Sequence, residues 1–221
     1  MQRFFDVIFS IIAILFFSPI LLLTCIVLRL TGEGEIFYIQ KRVGRYRRSI
    51  EIIKFATMLK NSPNVGTGTV TLAKDPRILP FGRFLRKAKI NELPQLFNVL
   101  WGDMSLIGPR PQTQRCFHAF PENLRDQIVS VRPGLSGLGS IFFRNEELML
   151  NDAKNANQFY DQIIMLYKGQ LEAWYISNRS VKLYFILILA TVTTVLFGKV
   201  MFRNTYLMNI PSYPNELKEY F

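Results

Sequence analysis

Histidine and cysteine, on which many active sites depend, are scarce in this chain of 221 residues, which has one histidine and two cysteines. Cys25 and Cys116 give no disulfide framework and no zinc-site spacing, which indicates a reducing compartment. His118 has no companion ligand in the sequence, so a histidine-based triad or zinc hydrolysis is not expected. Any catalysis should therefore depend on carboxylates, arginine, lysine and a hard cation.

Acidic residues are also few, 16 against 27 lysines and arginines, so the net charge is +11. Such an excess indicates an anionic partner, which leaves nucleic acid, acidic lipid and a phosphorylated substrate open. The chain has no familiar nucleic-acid-binding motif and contains a membrane segment, so nucleic acid is not an expected partner. Its length allows one soluble core of ordinary size beside that membrane segment.

Charge is absent from the 22 residues 7–28, "VIFSIIAILFFSPILLLTCIVL", which is long enough to span a hydrocarbon core of about 30 Å. Ser18-Pro19 in the middle predicts a kink, because proline removes a backbone hydrogen bond. Both flanks are basic, and basic flanks prefer the cytoplasm. Two structures remain open for residues 1–30: a re-entrant helix that bends and returns, and a kinked helix that crosses. A secretory signal peptide is not expected, because the apolar run is too long and no cleavage site follows.

A second apolar run, "LYFILILATVTTVLFG" at 183–198, has only 16 residues, with basic residues on both sides. That length is short for a crossing helix. We expect it to be interfacial or partly embedded, with a buried core helix as the alternative. The tail from residue 204 carries no chemical signal.

Alternating aliphatic and polar residues over 32–58 predict a β-hairpin whose turn lies at 44–49. The turn is rich in arginine, which suits acidic headgroups, with a solvated loop as the alternative. Residues 61–74 contain Pro63, Gly66 and Gly68 and are predicted to form a flexible loop.

A short helix is predicted to begin at Asn91 as its N-cap, to hold Pro94 in its first turn and to end at Gly102. The helix start and the cations before it predict a diphosphate site, with a solvated charged face as the alternative. Arg110 lies between two prolines, which should hold its guanidinium in place. The cations before the helix are Arg77, Arg83, Arg86, Lys87 and Lys89.

Several motifs in order resemble the bacterial sugar transferases that start glycan assembly, the monotopic phosphoglycosyl transferases. They are "RFFDVIFS", "FYIQKRVG", "IIKFATM", "FGRFLR", "NELPQLFNVLWGDMSLIGPRP" and "VRPGLSG", within residues 1–180. The resemblance implies transfer of a sugar phosphate from a UDP-sugar to polyprenol (undecaprenyl) phosphate, with release of UMP. This is the first membrane step of a surface glycan: O-antigen, capsule, exopolysaccharide or glycoprotein. It also implies Mg²⁺ and an active site on the cytoplasmic face of the bacterial inner membrane.

The fold class expected from this resemblance is α+β and mostly α. It is a monotopic membrane protein with a re-entrant N-terminal helix, a small β-hairpin and interfacial helices. Residues 1–30 should be the membrane helix, 31–180 the cytoplasmic catalytic domain, and 181–221 a C-terminal membrane-associated segment and tail. No transmembrane bundle precedes the motifs, so the chain is expected to be the short form of the family.

The resemblance also assigns the candidate site. Glu92 is the expected catalytic acid and magnesium ligand, and Asn91 beside it stands where the family has an aspartate nucleophile. An amide cannot replace a carboxylate nucleophile, because its nitrogen lone pair is delocalised. Further departures are Ala56, where the family has arginine, and "GLGSIFFRNEE" at 137–147. The expected substrate-binding residues are Arg42, Lys54, Arg86, Gln95, Asp103 and Arg110.

Two functions remain open. In the first, the chain is an active transferase that uses Glu92, or a remote acid such as Asp103, Glu146 or Glu147, or direct attack by the lipid phosphate. In the second, it is a catalytically silent relative at the membrane surface that binds nucleotide sugar or a pathway partner. The expected partners are a UDP-sugar, polyprenol phosphate and inner-membrane lipid, with a homo-oligomer possible.

Overall fold

Helices dominate the fold, which a computed structural model describes for residues 1–64, 71, 75–198 and 209–220. The strands are β1 (Phe37–Val43), β2 (Ser49–Phe55), β3 (Ser105–Ile107) and β4 (Gly134–Ser136). The helices are α1 (Gln2–Leu30), α2 (Pro80–Lys87), α3 (Gln95–Trp101), α4 (Gln114–His118), α5 (Glu122–Val129), α6 (Leu138–Phe142), α7 (Glu146–Asp152), α8 (Ala156–Phe159), α9 (Met165–Ser177) and α10 (Val181–Phe197). A π-helical segment, Tyr160–Ile164, joins α8 to α9.

The first helix, α1, is long enough and apolar enough to cross a membrane, and only 11% of its most apolar window is buried. It is therefore not the core helix of a soluble protein. The backbone stays helical through Pro19, and the Ser18 hydroxyl donates to the carbonyl oxygen of Leu15 at 2.8 Å. Whether this helix re-enters or crosses stays a prediction.

The predicted hairpin is confirmed: β1 and β2 pair antiparallel from Phe37 with Phe55 to Val43 with Ser49. Its basic turn is largely exposed at residues 46–49, as the solvated-loop alternative requires, but two of its arginines are engaged by the protein. Arg45 donates to the carbonyl oxygen of Ser130 at 3.0 Å, and Arg47 pairs with Asp126 of α5 at 2.6 Å. The turn is thus docked on α5. Of the loop predicted over 61–74, residues 62–64 form a 3₁₀ turn, while 65–70 and 72–74 lie outside the described residues.

The prediction that Asn91 caps a helix is wrong. Residues Ile90–Glu92 form a separate 3₁₀ turn that begins after Lys89, whose φ is 59°, and no side chain caps it. The α-helix starts only at Gln95, with Pro94 before it rather than inside its first turn. Proline has no N–H to donate, which is compatible with its position directly before α3. The predicted end at Gly102 is confirmed, and its φ of 95° suits glycine.

The main hydrophobic core joins α4, α5, α6, α9 and α10. Leu171 of α9, Leu187 of α10 and Leu217 of the tail are all fully buried in it. The core therefore runs across the expected boundary at residue 180, and the described part of the tail belongs to it. Helix α10 packs one face on this core, whereas its other face leaves Leu189 and Leu196 exposed.

A buried carboxylate ties α1 to the rest of the chain. Asp6 accepts hydrogen bonds from the Ser105 hydroxyl at 2.8 Å, the Leu106 amide at 2.9 Å and the Tyr184 hydroxyl at 2.9 Å. Arg3 donates to the carbonyl oxygens of Val99 and Leu100, at the C-terminal end of α3. These bonds fix the start of α1 on β3, α3 and α10.

We expect Asp6→Ala to lower the free energy of unfolding by about 2–4 kcal/mol, because it leaves several buried donors without their charged acceptor. Thermal unfolding of the detergent-solubilised protein measures this. Asp103→Ala, which truncates an exposed aspartate, is the matched control and should leave the midpoint within about 1 °C. Equal midpoints for both variants would contradict the role given to Asp6.

Candidate active site

One large cavity, of about 1560 Å³, lies between α1, the hairpin, α2, α6 and α10. Part of its wall is apolar, with Phe17 and Ile20 from α1 and Val195 and Leu196 from α10. Another part is strongly cationic. The cavity therefore combines an apolar side with a side suited to anions. The cationic wall contains Arg42, Lys54, Arg83, Arg86, Lys87, Lys89 and Arg110.

Glu92 is the anionic centre of this cationic wall. Both of its oxygens accept from the guanidinium of Arg110, and the Lys54 ammonium lies 3.5 Å from Oε1. Its side chain is only 15% exposed, so this ion pair is largely shielded from water. Arg110 reaches it from a rigid segment between two prolines, and Lys54 reaches it from β2. The planar guanidinium makes the contact bidentate, which fixes the carboxylate in one orientation.

The charges in the cavity strongly affect one another. Burial alone would raise the pKa of Glu92, but Arg110 and Lys54 outweigh burial and hold that pKa well below its usual range. Burial lowers the pKa of Lys54 to about 7, against the attraction of Glu92 and with further lowering by Arg110 and Arg42. Glu92 is thus a stable anion and a weak base, while Lys54 changes charge near neutral pH.

The two second-line acids also line the cavity, and each is paired with a cation. Glu147 accepts from Arg86 at 2.5 Å, and Glu146 accepts from Lys168 at 2.5 Å. These pairs join α7 to α2 and to α9. Neither glutamate is a free base in this arrangement.

The other predicted residues fall into two groups. Asn91 and Arg42 line the cavity; the Asn91 Oδ1 atom is buried and has no hydrogen-bond partner within the described part of the chain, and Arg42 bonds the side chain of Gln40. Gln95 is buried and Asp103 exposed, and neither lines the cavity. Gln95 and Asp103 are therefore not part of the cavity wall, although Leu96 of the same helix α3 is.

The predicted diphosphate site is only partly assembled. Arg83, Arg86, Lys87 and Lys89 line the cavity, as expected. The expected helix N-terminus is absent from the position of Asn91, since α3 begins four residues later. Arg77 also contacts the cavity, but its guanidinium is buried against both oxygens of Asp75 and is therefore structural.

Sequence reasoning missed two residues of α9 that line the cavity. Lys168 pairs with Glu146, and Glu172 is 2% exposed beside Gly137 and Gly139. Both lie on a mostly apolar helix, four residues apart and so on one face. The sequence does contain a signal for these two residues: a lysine and a glutamate four positions apart within an otherwise mostly apolar segment.

Two oxygen-bearing side chains of the cavity, Asn91 and Glu92, are suited to supply part of the coordination shell of a Mg²⁺ ion. The described residues contain no group of three acidic, histidine or cysteine ligands. Mg²⁺ is commonly bound through one or two protein oxygens together with water and substrate phosphates. The unpartnered amide oxygen of Asn91 and the carboxylate of Glu92 are hard oxygen ligands of that kind on adjacent residues.

An N-terminal apolar helix packed on a small helical domain, with a cationic and apolar cavity beside it, defines a membrane-associated protein that handles anionic ligands. The family model described as bacterial sugar transferase matches residues 1–198, and the chain belongs to this family. A UDP-N-acetylgalactosamine-undecaprenyl-phosphate N-acetylgalactosaminephosphotransferase of Aeromonas hydrophila is 34% identical over 199 residues, which are 89% of this chain and 44% of that protein. The chain thus spans less than half the length of this relative.

Two further relatives match a smaller part of the chain. The undecaprenyl-phosphate galactose phosphotransferase of Salmonella typhimurium is 34% identical over 160 residues, which are 66% of this chain and 33% of that protein. The exopolysaccharide production protein ExoY of Rhizobium meliloti is 34% identical over 159 residues, 66% of this chain and 70% of that protein. The names of the Aeromonas and Salmonella relatives specify different sugars, N-acetylgalactosamine and galactose.

The Lys54 pKa predicts a pH dependence of anion binding. As pH rises through about 7, the free cavity loses the Lys54 charge, so affinity for a diphosphate diester such as UDP-glucose should fall. If the bound diphosphate raises the Lys54 pKa by one unit, the affinity for it should fall about tenfold between pH 6 and pH 9. Titration calorimetry measures it. Lys54→Arg keeps its charge and should flatten the profile; an unchanged slope in that variant would contradict the assignment.

Proposed function

We propose that the protein transfers a sugar phosphate from a UDP-sugar to a polyprenol phosphate such as undecaprenyl phosphate and releases UMP. One observation carries this proposal: a single cavity joins a cluster of cations to apolar walls on the membrane helix α1 and on α10. A water-soluble diphosphate and a lipid phosphate must meet in such a place, because one substrate needs charge neutralisation and the other an apolar route. The family and the names of the relatives support the same reaction.

The donor diphosphate is assigned to Arg86, Lys89 and Arg110, with Arg42 and Lys54 beside them. Several cations are needed, because two phosphorylated substrates repel each other and charge increases at the leaving oxygen. Guanidinium groups can hold phosphate oxygens in pairs. The buried Arg86 Nε atom, which has no partner among the described residues, is one donor available for this contact.

The acceptor is assigned to the apolar side of the cavity. Phe17 and Ile20 of α1 would contact the isoprenoid chain where it leaves the bilayer, and its phosphate would face the cations. This assignment places the reaction at the membrane surface, without removal of the lipid from the membrane.

We assign the chemical step to direct displacement. An oxygen of the lipid phosphate attacks the β-phosphorus of the donor, the bond from that phosphorus to the bridging oxygen breaks, and UMP leaves with the bridging oxygen. Asn91 cannot form the acyl-phosphate link of a carboxylate nucleophile. Glu92 is bound by Arg110 through both oxygens and is a weak base, so we assign it no proton transfer; it positions Arg110 and Lys54, and its remaining lone pairs are available to a cation.

A bound Mg²⁺, held by Glu92 and the Asn91 amide oxygen, would neutralise phosphate charge during this step. Where Asn91 does not hold the metal, its amide nitrogen would donate a hydrogen bond to a phosphate oxygen. Ala56, in the cavity wall, leaves one positive charge fewer than the family pattern has there.

Activity of the purified protein tests the proposal. With a panel of UDP-sugars and undecaprenyl phosphate, UMP release should require both substrates, without a stoichiometric burst from the donor alone. Glu92→Gln and Arg110→Lys should each lower turnover about 100-fold or more, since one removes the anion that orients the cations and the other removes bidentate contact. Arg115→Lys, which alters a surface pair with Asp161, is the matched control and should keep full turnover.

Absence of UMP release with every donor would instead support the catalytically silent relative. A burst of UMP from the donor alone, equal to the enzyme, would show a covalent intermediate and contradict direct displacement.

We further propose that α1 is re-entrant and that the cavity faces the cytoplasm at the bacterial inner membrane. Both ends of α1 contact one domain: Asp6 bonds β3, and Leu28 packs on Phe55 and Leu85. A crossing helix would hold one end about 30 Å from the other across the bilayer. The side chains between these contacts include many exposed apolar groups, among them Ile12, Leu15, Phe16, Leu22 and Leu23.

Single cysteines test this topology in a background that lacks Cys25 and Cys116. Phe4→Cys and Glu35→Cys report the two ends of α1, and Asp126→Cys reports the side of the catalytic domain. In spheroplasts with an intact inner membrane, an impermeant thiol reagent should label none of them, and lysis should expose all three. Labelling of only one end of α1 in intact spheroplasts would establish a crossing helix.

A further inference from the structure

Three buried polar atoms of residues that line the cavity have no hydrogen-bond partner among the described residues. They are the Ser140 Oγ, Glu172 Oε2 and Thr194 Oγ1 atoms, and all three residues line the cavity. Glu172 is 2% exposed and Thr194 is 3% exposed. Native proteins rarely leave buried polar groups unpaired, so three such atoms in the wall of one cavity indicate a ligand that pairs with them.

These atoms belong to three helices that meet. Helix α6, which carries Ser140, packs against both α9 and α10, which carry Glu172 and Thr194. Glycine admits the carboxyl group: a Cβ atom at Gly139 would lie 2.6 Å from Glu172 Oε1. A hydrogen bond of 2.8 Å between the hydroxyls of Ser136 and Thr191 links β4 to α10 beside them. The three groups are therefore held by packed secondary structure and not by a loose loop.

The polar groups of this pocket are suited to a neutral ligand. Burial raises the pKa of Glu172 to about 8, against backbone hydrogen bonds from Arg110 and Gly139 that lower it. The carboxyl group is thus mainly protonated near neutral pH and can donate as well as accept. Lys168 on the same face of α9 is engaged by Glu146 at 2.5 Å. Hydroxyl and carboxylic acid groups match the hydroxyls of a sugar.

The position of this pocket within the cavity also suits the sugar of a nucleotide-sugar donor. The backbone of Arg110 acts on the Glu172 carboxyl, so the pocket adjoins the cations assigned to the diphosphate. The flat uracil is better matched by the aromatic rings of Phe37 and Tyr38 on β1, which line the cavity and are partly exposed. We propose that the sugar of the donor binds between α6, α9 and α10, and that Ser140, Glu172 and Thr194 determine which sugar is accepted. This inference rests on the proposed transferase function.

Removal of one hydroxyl without a change of shape tests it. Thr194→Val and Ser140→Ala should each lower kcat/KM for the preferred UDP-sugar about tenfold or more, and should reduce discrimination within a panel of UDP-glucose, UDP-galactose and their 2-acetamido forms. Affinity for UDP, which lacks the transferred sugar, should stay within about twofold. Thr194→Ser keeps the hydroxyl and should restore the preference, even if the valine variant folds poorly.

Thr193→Val is the matched control, because its hydroxyl bonds the carbonyls of Leu189 and Ala190 and the residue does not line the cavity. It should leave the preference unchanged. An active wild type whose Thr194→Val and Ser140→Ala variants keep the original preference would overturn the sugar site. An equal loss of UDP affinity would overturn it too, because the pocket would then hold the nucleotide. A wild type that releases no UMP from any donor would refute the transferase function itself.

Discussion

The bidentate ion pair between Glu92 and Arg110 is the contact on which the arrangement of the cavity depends. It is partly buried, so the two charges are less solvated than a pair at the surface and attract each other more strongly. Lys54 is added to the same carboxylate from a different element, which brings β2, the 3₁₀ turn at Ile90–Glu92 and the proline-flanked Arg110 to one point. Loss of the anion would leave several cations facing one another across a small space. The acid therefore organises the cations that the proposed reaction needs.

A second constraint couples this site to the membrane. The N-terminal end of α1 is held by the buried Asp6, and its C-terminal end packs on the hairpin and α2. Because α1 also provides part of the cavity wall, the membrane segment and the cationic cluster belong to one structure. A lipid substrate that enters along α1 would meet the cations without leaving the apolar surface. The same arrangement explains why the core continues into α10 and the tail instead of ending at residue 180.

Much of the site was predictable from sequence. Strand alternation located the hairpin, the uncharged run located α1, and motif resemblance brought Glu92, Lys54, Arg86 and Arg110 together. The site predictions that were wrong or missing concern residues whose position depends on the local backbone conformation or on packing between segments far apart in the sequence. Asn91 has the chemistry of a helix cap, yet it lies inside a separate 3₁₀ turn that begins after the left-handed Lys89. Asp103 lies within the motif but follows the end of α3, is exposed and does not line the cavity. Glu172 lies 80 residues after Glu92, so only the packing of α9 against α6 brings it to the cavity.

The central claim is that phosphate moves with the sugar, and the fate of the donor's β-phosphate tests it most directly. The purified protein would be incubated with undecaprenyl phosphate in detergent and with UDP-sugars that carry ³²P in the β-phosphate. Phosphoglycosyl transfer predicts that the label moves into the organic phase with the lipid while unlabelled UMP stays in water, and that Glu92→Gln abolishes this movement. Label that remains in water as UDP while the sugar reaches the lipid would contradict the account, because that result defines simple glycosyl transfer.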